Sequence, residues 1–308
     1  MSMNKSNNGH NHLGGKGIDS SDFEQENRRP LEELHGLSLE QLHWMLYFPF
    51  DSPGLVRFPE VLDTHPVSPV LDLFALLLHG LGEKGLKATA KGNLPRNFCR
   101  EAAEHYLGEK EYKNFVSDGE INREIDFLDL HIAHVLGNLA GLIRKYKGRI
   151  IISRKCHQLI DKSGSAAIYP KLFNAYVKKF KWGYMDYFPE LSIIQDCFLF
   201  SLYLLSRYSG TWQSTEFYED KFLSVFPIPP DEINVGFSSP DKIARLAYTM
   251  RTMTRFCDYM GLAKIEREPD KSKKNKYRVK SLPLLEYVVQ FQTEFRDVTV
   301  LMEDDGLH

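Results

Sequence analysis

The chain has 308 residues, 43% hydrophobic and 26% charged, which gives ordinary globular proportions and length enough for two medium domains. A net charge of −2 nominates no partner by itself. The cysteines Cys99, Cys156, Cys197 and Cys257 lie far apart without a Cys-x-x-Cys pair, which argues against a cysteine-built zinc site and for free, buried thiols.

The polar stretch 1–29 carries no apolar signal core and reads as a disordered tail. An N-terminal helical and aromatic arm follows over 30–68. Ser38 and Gln41 have capping-box spacing before Leu39, Leu42, Met45 and Leu46; Pro49, Pro53 and Pro59 then break the helix.

A first unit spans 69–162. Residues 70–81 are apolar almost all round and predict a central core helix. Residues 86–90 read as a short strand. A helix then runs from Pro95 to about Tyr106, followed by a polar insertion at 108–121. A third helix covers 122–140, with Ile125, Leu128, Ile132, Val135, Leu136 and Leu139 on one stripe. Residues 142–146 and 149–153 form a hairpin turning at Lys147-Gly148, and a short helix closes the unit.

A linker helix with aromatic residues occupies 163–189, and 190–296 repeats the pattern. Helices are expected over 190–208, 215–225 and 241–260, strands near 262–267 and 276–281, and a final helix over 282–295. Residues 297–308 are an acidic tail. The fold class expected is mostly α, with two winged-helix-like units, each a helix bundle bearing a small β-hairpin wing. The longest apolar run, Phe198 to Leu205, is too short to span a bilayer. No membrane partner and a cytoplasmic location are expected.

Two stretches, Leu34-His35-Gly36-Leu37-Ser38 leading to Tyr47-Phe48-Pro49-Phe50-Asp51-Ser52-Pro53, and Leu86 through Arg96, carry a resemblance. They are similar to uncharacterised bacterial proteins with a segment close to Leu-Thr-Ala-Lys-Gly-Asn-Leu-Pro-Arg. Ala88 stands where a bulkier residue is typical. The resemblance implies a bacterial origin and a shared fold, and it brings no activity and no site residues.

Function is sought on the outward faces of the third helices. In the second unit that face is Arg245, Tyr248, Arg251, Thr252, Arg255 and Tyr259, opposite a core stripe of Ile243, Leu246, Ala247, Met250, Met253, Cys257 and Met260. The wing adds Lys271, Lys273, Lys274, Lys276, Arg278 and Lys280. Residues 241–280 hold twelve Lys or Arg against five Asp or Glu. The expectation is a non-enzymatic, regulatory protein binding duplex DNA through this unit. Equally, the lysines suit a solvated loop tip, and the arginines suit pairing with acids such as Asp241 and Asp258.

In the first unit the outward face is Arg123, Phe127, Leu130, His131, His134 and Asn138. This chemistry suits a protein neighbour or self-association, so Phe127, Leu130 and His134 are candidate interface residues. A protein-interaction scaffold without nucleic-acid contact is the alternative reading. His131 and His134 lack a third ligand at helpful spacing, so no metal is expected. No cofactor motif occurs: the Gly80–Gly85 glycine spacing follows a helix where a strand is required. No catalytic residue is nominated, since adjacent Cys156 and His157 do not make a nucleophile and base.

Overall fold

The computed structural model describes residues 25–208, 210–230, 233, 238–269 and 276–292. Most of the tail read over 1–29, the acidic end, and Lys271, Lys273 and Lys274 lie outside them. The chain is mostly α-helical with small antiparallel sheets. Among the described residues no helix is long and apolar enough to cross a membrane.

Helix α1 (Leu39–Tyr47) starts on the expected capping box: Gln41 N donates to Ser38 Oγ at 3.2 Å, and Ser38 N donates to Gln41 Oε1 at 2.8 Å. The pair satisfies two backbone donors that a helix start leaves open. The first unit comprises α2 (Pro69–Leu81), β2 (Leu86–Lys87), α3 (Arg96–Ser117), α4 (Leu128–Leu139), β3 (Ile143–Tyr146), β4 (Arg149–Ile152) and α5 (Arg154–Ser163); β1 (Val56–Arg57) lies in the arm. Helix continues through much of the stretch read as a polar insertion, because α3 kinks at Gly108 and resumes as far as Ser117. The apolar α2 packs on α4, and Gly137 sets the distance: a Cβ there would lie 2.4 Å from the Phe74 ring.

Helix α6 (Ile168–Lys178) leads into the segment 179–191. The second unit then comprises α7 (Ser192–Asp196), α8 (Phe198–Arg207), β5 (Gln213–Ser214), α9 (Thr215–Val225), α10 (Pro240–Tyr248) with its π-helical continuation Thr249–Asp258, β6 (Ala263–Arg267), β7 (Tyr277–Ser281) and α11 (Leu284–Val288). The final helix is shorter than its sequence pattern predicts. It ends at Val288, and β8 (Gln290–Phe291) pairs with β1, tying the far end of the chain to the arm.

Both units have three-stranded antiparallel sheets in which the last strand lies in the middle: β2-β4-β3 and β5-β7-β6. The helix that precedes each hairpin is interior in both. Tyr259 donates to the backbone carbonyl of Asp129 on α4 at 2.7 Å, Tyr176 to that of Arg255 at 2.5 Å, and Tyr169 to that of Met260 at 2.6 Å. The two third helices therefore meet around α6 and the segment after it, deep in the molecule.

Candidate nucleic-acid interface

The second unit's third helix does not present the face its sequence predicts. Tyr248 and Thr252 are fully buried, and Arg251 is 3% exposed. Leu246 and Met250, expected in the core, are instead 45% and 37% exposed. For Met250, Arg251 and Thr252 one cause is helical geometry. Beyond Tyr248 the helix is π, closing hydrogen bonds five residues apart, so a count at 100° per residue drifts out of register. The other cause is covering elements. Tyr248 stacks on Phe222 of α9 at 4.4 Å and reaches Ser201 Oγ at 3.3 Å.

The arginines hold the protein together. Arg251 Nε donates to Asp186 Oδ2 at 2.6 Å and Nη2 to Oδ1 at 3.2 Å, with both side chains almost wholly buried. Its Nη2 also donates to the Pro189 carbonyl at 2.8 Å. Arg255 donates to the carbonyls of Tyr184 and Met185 at 2.6 and 3.2 Å. Arg245 bridges Asp220 and Asp241 at 2.5 and 2.9 Å. Bidentate geometry suits a guanidinium to this clamping of the segment after α6. At the β6–β7 hairpin, Lys276 pairs with Glu216 at 2.8 Å, and Arg278 donates Nε to Glu266 at 2.9 Å while lying over the Trp212 ring at 4.5 Å.

The first unit's proposed protein-facing surface is likewise interior. Phe127 is 3% exposed and meets the rings of Phe115 and Tyr106; Leu130 is fully buried. His134 is buried against Glu124, because α4 is covered on the side opposite its apolar stripe. His131 and His134 both donate from Nδ1 to Glu124 Oε1, each at 2.7 Å, and Leu94 N donates to Oε2 at 2.5 Å. With the Nδ1 protons so placed, Tyr184 donates its hydroxyl to His131 Nε2 at 3.1 Å. Burial resists ionisation of Glu124, but the histidine and backbone donors overcome it and hold the carboxyl down at about 2. The histidines are thus committed to a carboxylate. Burial also pushes the Cys99 thiol up to about 12 and that of Cys156 to about 11, so both behave as packing residues.

Among the described residues, the first unit's sheet gathers several cations that have no carboxylate partner. Residues 84–100 contain five Lys or Arg and 130–160 contain six, with no Asp or Glu in either run. The pairing β2-β4-β3 brings the two runs together. Lys87, Arg149 and Tyr146 are opposite one another across the three strands and so share a face. Arg144, two residues before Tyr146, lies on the same side. The other side is the core, with Ile143 and Ile150 buried.

Lys147, at positive φ, and Gly148 make the tight turn at the tip. Tyr146 is 47% exposed, with the Arg144 guanidinium 4.9 Å and the Lys147 ammonium 5.3 Å from its ring centre. Arg149 also braces the strands, donating to the Lys84 and Gly85 carbonyls at 2.6 Å each. Lys145 crosses to the neighbouring turn, where a Cβ on Gly92 would collide with its ammonium. Among the described residues no carboxylate pairs with Lys84, Lys87, Lys91, Arg96, Arg144, Lys145, Lys147 or Arg149. The first turns of α3 and α5 also lack acidic residues, so the positive ends of two helix dipoles add to the same sign. The sequence signal for this site is the pair of acid-free runs, and its meaning emerges only once they share a sheet.

Residues 66–165 match the Y4jL N-terminal domain family. That span holds the whole of this sheet and stops short of the second unit. No curated protein and no solved structure matches the chain.

Proposed function

We propose that the protein binds nucleic acid, as a non-enzymatic and regulatory factor, and that the contact lies on the first unit's sheet. The observation that carries this reading is the set of cations on and around β2, β3 and β4 that meet no carboxylate among the described residues. Fixed, like-signed charges repel one another, and a polyanion that displaces their counterions relieves that repulsion. An exposed tyrosine among them adds a surface on which bases can stack. Winged-helix units fit the order helix, strand, helix, helix, hairpin and the central position of the last strand in each sheet. On this reading the wing is the working part, and the buried third helix is a structural one. The second unit then braces the first, with Arg245, Arg251, Arg255, Lys276 and Arg278 engaged by acids and carbonyls of the same molecule.

The test is retention of mixed-sequence DNA by the purified protein at low salt. Arg144→Glu combined with Lys147→Glu is expected to abolish retention with an unchanged melting temperature, because neither side chain is buried. Retention equal to that of the parent protein would remove the sheet from the reading.

A further inference from the structure

We infer that the outer face of this sheet accepts an unpaired polynucleotide strand, with Tyr146 stacking on a base and Lys87, Arg144 and Lys147 holding phosphates, without selection of sequence. The inference rests on the proposed nucleic-acid contact and specifies its form.

Geometry favours a single strand over a duplex. Reading a duplex requires an element that enters a groove, and the usual one is a helix in a major groove about 12 Å wide. Both helices in the position to do so, α4 and α10, are interior: Leu130 and Tyr248 are fully buried, and the polar groups His134 and Arg251 are tied to Glu124 and Asp186. What remains outside is a small, three-stranded face. Strands lie about 4.8 Å apart, so its central row from Lys87 through Arg149 to Tyr146 is about 10 Å wide. That width is short beside the helical turn of about 34 Å that separates the two half-sites of a dimeric duplex reader.

The chemistry of the face agrees. An aromatic ring between cations is the arrangement that takes successive bases of a flexible strand, since every base offers a π-face and every linkage a phosphate. Two cations already lie over the Tyr146 ring. A base arriving there replaces one of them, and the displaced side chain turns to the adjoining phosphate. No carboxylate stands on this face to accept from a ribose hydroxyl, and the lysine and arginine donors that could bond to that hydroxyl are the ones assigned to phosphates. The sugar is therefore not distinguished.

Fluorescence anisotropy with a labelled oligothymidylate, the same strand annealed to its complement, and an oligouridylate tests this on the full chain. The two single strands are expected to bind alike, and about tenfold tighter than the duplex, a factor within the range of one stacked base. Tyr146→Leu should remove most of that advantage without altering the slope of affinity against salt, whereas Tyr146→Phe should keep it. Arg144→Gln should reduce the slope for a single strand by about 0.7. Equal binding of single strand and duplex, with no effect of Tyr146→Leu, would overturn the unpaired-strand inference and leave the nucleic-acid reading standing. A tenfold or greater preference for the ribose strand would also overturn it. No binding to any of the three would overturn both.

Discussion

The two units repeat one order of elements and treat their charges in opposite ways. In the second, Arg245, Arg251, Arg255, Lys276 and Arg278 are each bonded to a carboxylate or carbonyl of the same molecule. In the first, the sheet's cations stand without carboxylate partners among the described residues, while the Nδ1 atoms of His131 and His134 on its third helix are held internally by Glu124. A count of basic residues along the sequence favours the second unit, but it does not separate cations bonded within the molecule, such as Arg245, Arg251 and Arg255, from those left open. The informative quantity is charge left over after local pairing, which requires knowing which segments adjoin.

The largest effect that sharpens this comparison is expected at the Arg251–Asp186 pair. Arg251→Ala leaves Asp186 buried without its partner and should cost about 3–5 kcal/mol of stability, read in a denaturant titration. Were Arg251 instead a nucleic-acid contact, the same change would weaken binding and leave the midpoint in place.

A smaller loss is expected in the first unit. Glu124→Gln weakens two histidine bonds and one backbone bond to a charged acceptor and should cost about 2 kcal/mol at neutral pH. The carboxyl is held down from its ordinary 4.5 to about 2. A depressed carboxyl contributes its full stability above the ordinary value and loses it as pH falls towards the folded one. The gap between parent and variant should therefore be constant above pH 4.5 and close as pH falls to about 2. A gap that persists unchanged at the acid end would show that Glu124 holds the histidines by shape alone.

Much of the architecture was legible in the sequence because it is written in local signals. The Ser38 capping box, the apolar α2, the Lys147-Gly148 hairpin and the limits of α9 each depend on residues within a few positions of one another. The third helices were legible as helices but not in their orientation. Their opposite faces are also buried, against Glu124 and Tyr184 in one unit and Asp186 and Phe222 in the other, and those partners lie up to 65 residues away. The π-helical stretch after Tyr248 added a rotation that no α-helical count contains. Phe127, Leu130 and His134 thus read as a surface only while their covering elements are unknown. The candidate site was hidden differently: its charges are plain in the sequence, and their union depends on the strand order β2-β4-β3.

The most direct test of the central claim compares the two units by the salt dependence of DNA affinity. Lys87→Gln with Arg144→Gln in the first unit should flatten the plot of log affinity against log salt by about 0.7–0.9 for each cation removed. Lys276→Gln in the second unit, whose ammonium is already engaged by Glu216 at 2.8 Å, should leave the slope where it is. A slope untouched by the first pair of changes and flattened by the second would contradict the account.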